Sequence, residues 1–347
     1  MKKSFLTILT VSTALSFNAL ADVPSCGENC TYRLVQNNDD NDSPTYTLKV
    51  EPIDSSKPAS VQDYTTLKID GSWHTTAPWD GNTSITKLDI EPGITSIGNA
   101  AFTYNRSITE ITLPEGLEKI GDAAFHRTGI TTIDLPNSLK EIGTTAFVTK
   151  SLQEVNGNLD NLTTMGGRIF VDTAISDFVV PPNLKNLPDD TFKGKDSWVN
   201  YISGNMTNLY CPEALAEQCA TALAYRGDEA KVKTYQYEDG VYVFQNENST
   251  QYYATPTDMR NGTNACADLN SCKASVLKSR GLCADINGDC KNFVDTANAG
   301  RMLKVGSKTY QSLDALLKGE FDRRRIYTIE EANFVSGKKN SVRLRYK

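Results

Sequence analysis

The sequence predicts a β-rich solenoid of about five 22–23-residue units, with a β cap before it and a small disulfide-bearing α+β module after it. Three observations predict the solenoid. A phenylalanine recurs at Phe102, Phe125, Phe147, Phe170 and Phe192, at spacings of 23, 22, 23 and 22. Two aliphatic columns keep the same period: Ile97, Ile120, Ile142, Met165, Leu187, and Ile94, Leu117, Leu139, Leu162, Leu184. An apolar triplet precedes the units, as in Ile85/Leu88/Ile90, Ile108/Ile111/Leu113, Ile130/Ile133/Leu135 and Ile175/Phe178/Val180.

Each unit reads as two short strands. The triplet sends its apolar residues into a flat core, and Pro114, Pro136 and Pro181 end the strand by removing an amide donor. The segment IGxxAF is a second short run followed by a tight turn whose small residues let the phenylalanine pack inward. One unit buries too little apolar surface to offset the ordering of its own backbone, so the units fold only as a stack. The fourth unit departs from the pattern. Leu152 and Val155 keep two triplet positions, Gly157 takes the third, and GGRIF replaces the small-residue motif.

The remaining segments follow in chain order. Residues 1–21 read as a secretory signal peptide, with Lys2 and Lys3, an apolar stretch, and Ala19-Leu20-Ala21 before the cut. Residues 22–83 alternate in the strand manner (Tyr46, Leu48, Val50; Leu67, Ile69) and read as the N-terminal β cap. Residues 84–210 form the solenoid. Residues 211–234 read as a capping helix, with Pro212 at its start, Leu215, Cys219 and Leu223 on one face, and Gly227 as the stop. Residues 235–347 read as the α+β module, with strands in GVYVFQNENSTQYYATP and helices in ADLNSCKASVLKSRG and DCKNFVDTANAGRML. MLKVGSKTY reads as a hairpin, SLDALLKG as a helical turn or two, and SVRLRYK as a last strand.

The eight cysteines fall outside the periodic region in four close pairs, and the simplest pairing joins neighbours: Cys26–Cys30, Cys211–Cys219, Cys266–Cys272 and Cys283–Cys290. Sequence leaves the connectivity open among about 105 arrangements. The rival reading, zinc, lacks a CxxC pair and any histidine near a cysteine. Asp285, Asn287 and Asp289 have the spacing that begins a calcium loop, but Cys290 stands where the loop needs glycine and Thr296 where it needs a carboxylate. No metal or cofactor is expected.

The pattern LPxxLxxIGxxAF resembles the BspA-like (Treponema-type) leucine-rich repeats of bacterial surface proteins. The N-terminal stretches CGENCTYRL, YTLKVEP and LKIDGSW resemble the lead-in that often precedes such arrays. The resemblance spans roughly Cys26 to Phe192. It implies a leucine-rich-repeat solenoid, no catalysis, and binding of host matrix proteins or other cells.

The net charge of −6 argues against a general nucleic-acid binder. No stretch after residue 21 is apolar enough to span a membrane. No HExxH, G-x-S-x-G or Walker loop occurs, His74 and His126 lie on unrelated segments, and His126 reads as an exposed loop residue. From Lys318 to the end, nine Lys/Arg face four Asp/Glu, a local +5 that predicts electrostatic association with anionic envelope polymers.

The strand pattern leaves a candidate ligand face of Lys87, Asp89, Glu110, Thr112, Thr132, Asp134, Glu154, Asn156 and Asp177 pointing outward. The expected function is adhesin-like recognition of an extracellular protein or glycan through that face. The expected location is secreted, periplasmic or at the cell surface. The alternative is an envelope-associated structural protein in which the basic C-terminal module is the interacting part and the solenoid a spacer.

Overall fold

The computed structural model describes residues 23–37, 43–193, 205–246 and 249–280. It also describes 282, 294, 297–298, 303–305, 308–318, 327–329 and 344–346. Residues 1–22, Cys283 and Cys290, the Asp285–Asp289 loop and the arginines at 323–325 lie outside the described residues.

Short parallel strands build two ladders. The first begins with β1 (Ser25–Gly27), β2 (Cys30–Gln36) and β3 (Tyr46–Pro52), which pair antiparallel in that order. The second begins with β4 (Ala59–Val61). A separate hairpin, β5 (Thr66–Ile69) and β6 (Ser72–Thr75), follows. Then strands of the two ladders alternate: β7 (Ile85–Ile90), β8 (Ile94–Ile97), β9 (Glu110–Thr112), β10 (Lys119–Ile120), β11 (Thr132–Asp134), β12 (Glu141–Ile142), β13 (Glu154–Asn156), β14 (Thr164–Met165) and β15 (Asp177–Val179). β3, β7 and β9 pair in parallel, as do β11 with β13, and β4, β8, β10, β12 and β14. The triplets predicted to turn inward do so: Ile85, Leu88 and Ile90 are at most 1 % exposed, and Ile130, Ile133 and Leu135 at most 3 %.

The turns after the second ladder also stack. Phe102, Phe125 and Phe147 donate their amides to Ala124, Ala146 and Ile169 of the next turn, so the backbone is paired on this side too. The phenylalanine rings form a continuous column, with centroids 5.6, 5.5, 6.2 and 6.1 Å apart from Phe102 to Phe192. Trp79 extends the column by one ring, stacked at 5.2 Å on Phe102, and its Nε1 donates to the Ala101 carbonyl at 2.8 Å. Trp79 lies 23 residues before Phe102, so its spacing marks it as a member of the column although its residue type differs.

The glycines of the IG motif have a packing cause. A Cβ on Gly121 would sit 2.7 Å from the Gly98 carbonyl carbon, and one on Gly143 2.6 Å from that of Gly121. Successive turns touch through these glycines, and a methyl group would wedge them apart. The neighbouring column is polar: Asp63, Asn99 and Asp122 each accept, through a side-chain oxygen, the amide of the residue one turn on, at 2.6–2.7 Å.

Both ends of the first ladder finish in antiparallel pairs, which limits exposed parallel edges. At the C-terminal end, β15 pairs in parallel with β16 (Asn208–Pro212), and β16 with β17 (Lys231–Glu238). β17 then pairs antiparallel with β18 (Val241–Asn246), and β18 with β19 (Ser249–Tyr253). Between β16 and β17, a 3-10 turn (Glu213–Leu215) leads into α1 (Ala216–Leu223). Leu215, Cys219 and Leu223 are buried in the common core, and Cys211 and Cys219 stand at disulfide distance, as do Cys26 with Cys30 and Cys266 with Cys272. Gln218 accepts the Leu187 amide at 2.7 Å, a bond a further turn would otherwise supply.

Four local expectations are corrected. Pro212 is the last residue of β16 rather than a first helical position. The helix ends at Leu223, and the 3-10 segment Ala224–Glu229 runs through Gly227, so Gly227 is no stop. Leu67 and Ile69 are in a strand, but they are 43 % and 50 % exposed because the β5–β6 hairpin lies outside the common core. His126 is half-buried rather than an exposed loop residue, tilted against Tyr104 at 5.6 Å.

After β19 come α2 (Pro256–Asn261), capped by the Thr255 hydroxyl, and α3 (Leu269–Ser279), opened by a capping box between Asp268 and Ser271. The hairpin β20 (Leu303–Val305) and β21 (Lys308–Tyr310), the short helix α4 (Leu313–Leu317), and the pair β22 (Tyr327–Ile329) and β23 (Leu344–Tyr346) complete the described elements.

Candidate functional site

The outward positions of the first ladder form the candidate face, and the structure divides them into two stretches. In the first stretch most side chains are open to solvent, Asp89 being half-buried, and charges meet across rungs. Lys49 lies between Asp89 (2.8 Å) and Glu91 (2.6 Å), and Lys87 pairs with Glu110 at 2.7 Å. The in-register pairing of Lys49 with Asp89 and Lys87 with Glu110 brings these partners together. Hydrogen bonds to both carboxylates raise the Lys49 ammonium above the usual lysine range. Thr112, Thr132 and Asp134 are exposed. Asp134 has no ion-pair partner among the described residues, which makes it the open acid of the face.

In the second stretch the same positions are partly covered, although Glu154 keeps 44 % of its side chain exposed. Arg260, from the last turn of α2, donates to Glu154 Oε1 at 2.6 Å, to Asn156 Oδ1 at 3.3 Å and to the Val155 carbonyl at 3.5 Å. Its side chain is only 10 % exposed. Asp177 accepts from Ser176 and Asn208 and is half-buried. A polar groove of about 530 Å³ remains here, lined by residues including Gln153, Glu154, Ser176, Asp177, Arg260 and Asn261.

A second anchor holds the same chain segments together. Asp160, 4 % exposed, accepts from the Tyr242 hydroxyl at 2.8 Å and pairs with Arg280, just beyond α3. Burial and the nearby Asp160 carboxylate push the Tyr242 phenol well above its ordinary range, so it stays a neutral donor. Lys273, 4 % exposed, bridges Glu238 at 2.8 Å and Asp239 at 2.9 Å beneath the hairpin.

The irregular fourth unit fits this packing. Gly157 has φ +118°, and a Cβ there would lie 2.1 Å from the Leu135 carbonyl oxygen. It lines one small cavity together with Tyr242 and Pro256. A bulky third triplet residue would occupy the place where β18 and α2 approach. Arg260, Tyr242 and Arg280 carry no repeat signal. Their partners lie 82 to 120 residues away, so periodicity does not reveal them.

Among the described residues no group of three His, Cys, Asp or Glu is placed to hold a metal ion. The face offers carboxylates, hydroxyls and ammonium groups at the 22–23-residue rung period. That arrangement can form directional hydrogen bonds and ion pairs with an extended partner.

Parallel strands stacked at this period define a leucine-rich-repeat protein. Residues 80–198 match the BspA type leucine rich repeat region in six copies. Six copies is one more than the five phenylalanines mark, while Trp79, the sixth ring of the column, lies just before the matched stretch. This repeat class binds proteins and is not known for enzymes. Among solved structures, the chain is similar to the T. pallidum leucine rich repeat protein, at 20 % identity over 59 % of this chain and 95 % of that one, with a TM-score of 0.34. It is also similar to a leucine rich cell surface protein from Faecalibacterium prausnitzii (15 % identity, 64 % and 58 % covered, TM-score 0.31). A leucine-rich repeat protein from Eubacterium ventriosum gives 16 % identity, 60 % and 45 % covered, and a TM-score of 0.31. The chain thus spans only about half the length of the latter two proteins. No curated protein matches the chain. No helix among the described residues is long and apolar enough to cross a membrane.

Proposed function

We propose that this is an exported, non-enzymatic binding protein that recognises an extracellular protein or glycan through the open part of the first ladder. The observation that carries this reading is the contrast within the face. Lys87, Glu110, Thr112, Thr132 and Asp134 are exposed at ladder spacing, whereas Glu154, Asn156 and Asp177 are half-buried and bonded to Arg260 or Asn208; Asp89, tied to Lys49, is half-buried as they are. Solenoids use such extended faces for partners because each rung adds a row of contacts on a rigid frame. The C-terminal elements close the last rungs and limit the length of partner the face accepts.

The test is binding of the full-length protein to arrayed extracellular matrix proteins and glycans. Glu110→Lys combined with Asp134→Lys is expected to abolish at least one interaction that Trp73→Ala leaves intact, while Lys193→Glu, at the far end of the stack, leaves that interaction unchanged. Retention of every interaction by the double variant would refute the assignment to this face.

A further inference from the structure

In the N-terminal segment, the β5–β6 hairpin carries three exposed large apolar side chains, Leu67, Ile69 and Trp73. Thr66, Leu67, Lys68 and Ile69 are all exposed, and Trp73, opposite Lys68 in register, is 48 % exposed. A solvent-facing tryptophan is unusual unless it meets a partner. The hairpin is nonetheless held firmly. Asp70 and Gly71, at φ +50° and +84°, make the tight turn that matches strand twist. At its base, Asp80 accepts the Thr75 amide at 2.9 Å and pairs with His74 at 2.8 Å.

Trp73 lies on Tyr104, with ring centroids 6.2 Å apart and planes within 11°. Tyr104 belongs to the turn column, so this aromatic pair sits on a different side of the stack from the first ladder. Trp73 stays 48 % exposed, and Lys68 Nζ lies 5.9 Å from its ring centroid. Arg127 lies 5.8 Å from the Tyr104 ring centroid, and Arg106 also acts electrostatically on that phenol. Elsewhere the lysines on the ladders have carboxylates: Lys87 has Glu110, Lys119 has Glu141 and Lys140 has Glu118. Lys68, Arg106 and Arg127 have no ion-pair partner among the described residues, in a chain whose net charge is −6.

We propose that the Trp73–Tyr104 pair, with Lys68 beside Trp73 and Arg106 and Arg127 beside Tyr104, is a second binding site, specific for an acidic glycan. The C–H face of a sugar ring is weakly positive and lies flat on the negative face of an indole. The three unpaired cations supply the complement to its carboxylates or sulfates. An acidic polypeptide adding as a strand to β5 fits less well. β5 is only four residues long and carries Lys68 at its middle, both of which oppose strand addition.

The experiment measures binding of the full-length protein to polygalacturonate and hyaluronate, with dextran and polyglutamate as the neutral and the non-sugar anionic controls. Binding to at least one acidic polysaccharide is expected, with neither control bound comparably. Trp73→Ala is expected to weaken it about tenfold or more, the scale of a lost ring contact plus its buried area. Arg106→Ala with Arg127→Ala is expected to weaken it and to flatten its salt dependence. Circular dichroism and the thermal midpoint confirm that the variants fold, and Glu110→Lys with Asp134→Lys leaves this binding intact. Equal binding of polyglutamate, insensitivity to both sets of variants, or no binding to either acidic polysaccharide would overturn the proposal.

Discussion

The first and last rungs of the first ladder are built alike and end differently. From Ile85 to Asp134 most outward side chains face water, and the charged ones pair across rungs, Asp89 with Lys49 and Lys87 with Glu110. From Glu154 to Val179 the equivalent positions lie under α2 and the strands that follow β15, with Arg260 closing over Glu154 and Asn156. The repeat pattern sets which side chains point outward. What they meet there is decided by segments with no repeat at all.

The largest expected effect tests whether the two stretches share one core. Phe125→Ala, under the open rungs, and Phe170→Ala, under the covered ones, should each destabilise the protein by about 3–5 kcal/mol in chemical denaturation. Both rings are at most 1 % exposed and lie in one column. A much smaller loss at Phe170 would mean that the covered end is packed separately.

The next effect separates the stretches. Asp160→Ala leaves Arg280 buried without its partner and should cost about 3–5 kcal/mol. Hydrogen exchange should then rise in β18 and α3 while β7 and β9 stay protected. Uniform loss of protection would contradict a local anchor.

A smaller effect belongs to the turn side of the open rungs. Burial, with help from Arg127, lowers the His126 pKa to about 4, from an ordinary value near 6.5. The folded protein therefore binds fewer protons than the unfolded chain between these values. Its contribution is complete above about pH 6.5 and is lost as pH falls toward 4, by up to about 2 kcal/mol between pH 7 and 5. His126→Gln should remove most of the fall in thermal midpoint over that interval. His74, the other histidine, stays in place as the internal control.

The smallest effect concerns the rung-to-rung ion pairs. Lys119→Ala, which removes the exposed pair with Glu141, should change stability by less than about 1 kcal/mol.

The sequence made the stack readable because its core repeats one local arrangement. The Phe102–Phe192 column, the aliphatic columns and the glycines at the turn contact all recur at fixed spacing, since each turn must rest on the one before. Trp79 keeps the spacing and escapes a search for phenylalanine alone. Leu67 and Ile69 show the limit of alternation, which predicts a strand but not that something covers it. The candidate face was legible to the same depth. Outward positions follow from strand period, whereas the closure by Arg260 joins residues 106 apart and obeys no period. The small residue Gly157 is the one local trace of it, and it reads as a defect until β18 and α2 are placed beside it.

The division of the ladder is tested most directly by carboxylate footprinting of the full-length protein, with carbodiimide labelling read by mass spectrometry. Glu110 and Asp134 should react at the rate of exposed acids, and Asp160 and Asp177 several-fold more slowly. Arg260→Ala should speed the reaction of Glu154 alone among the ladder acids. Equal labelling of Asp134 and Asp177, unchanged by Arg260→Ala, would contradict a face that is open at its first rungs and closed at its last.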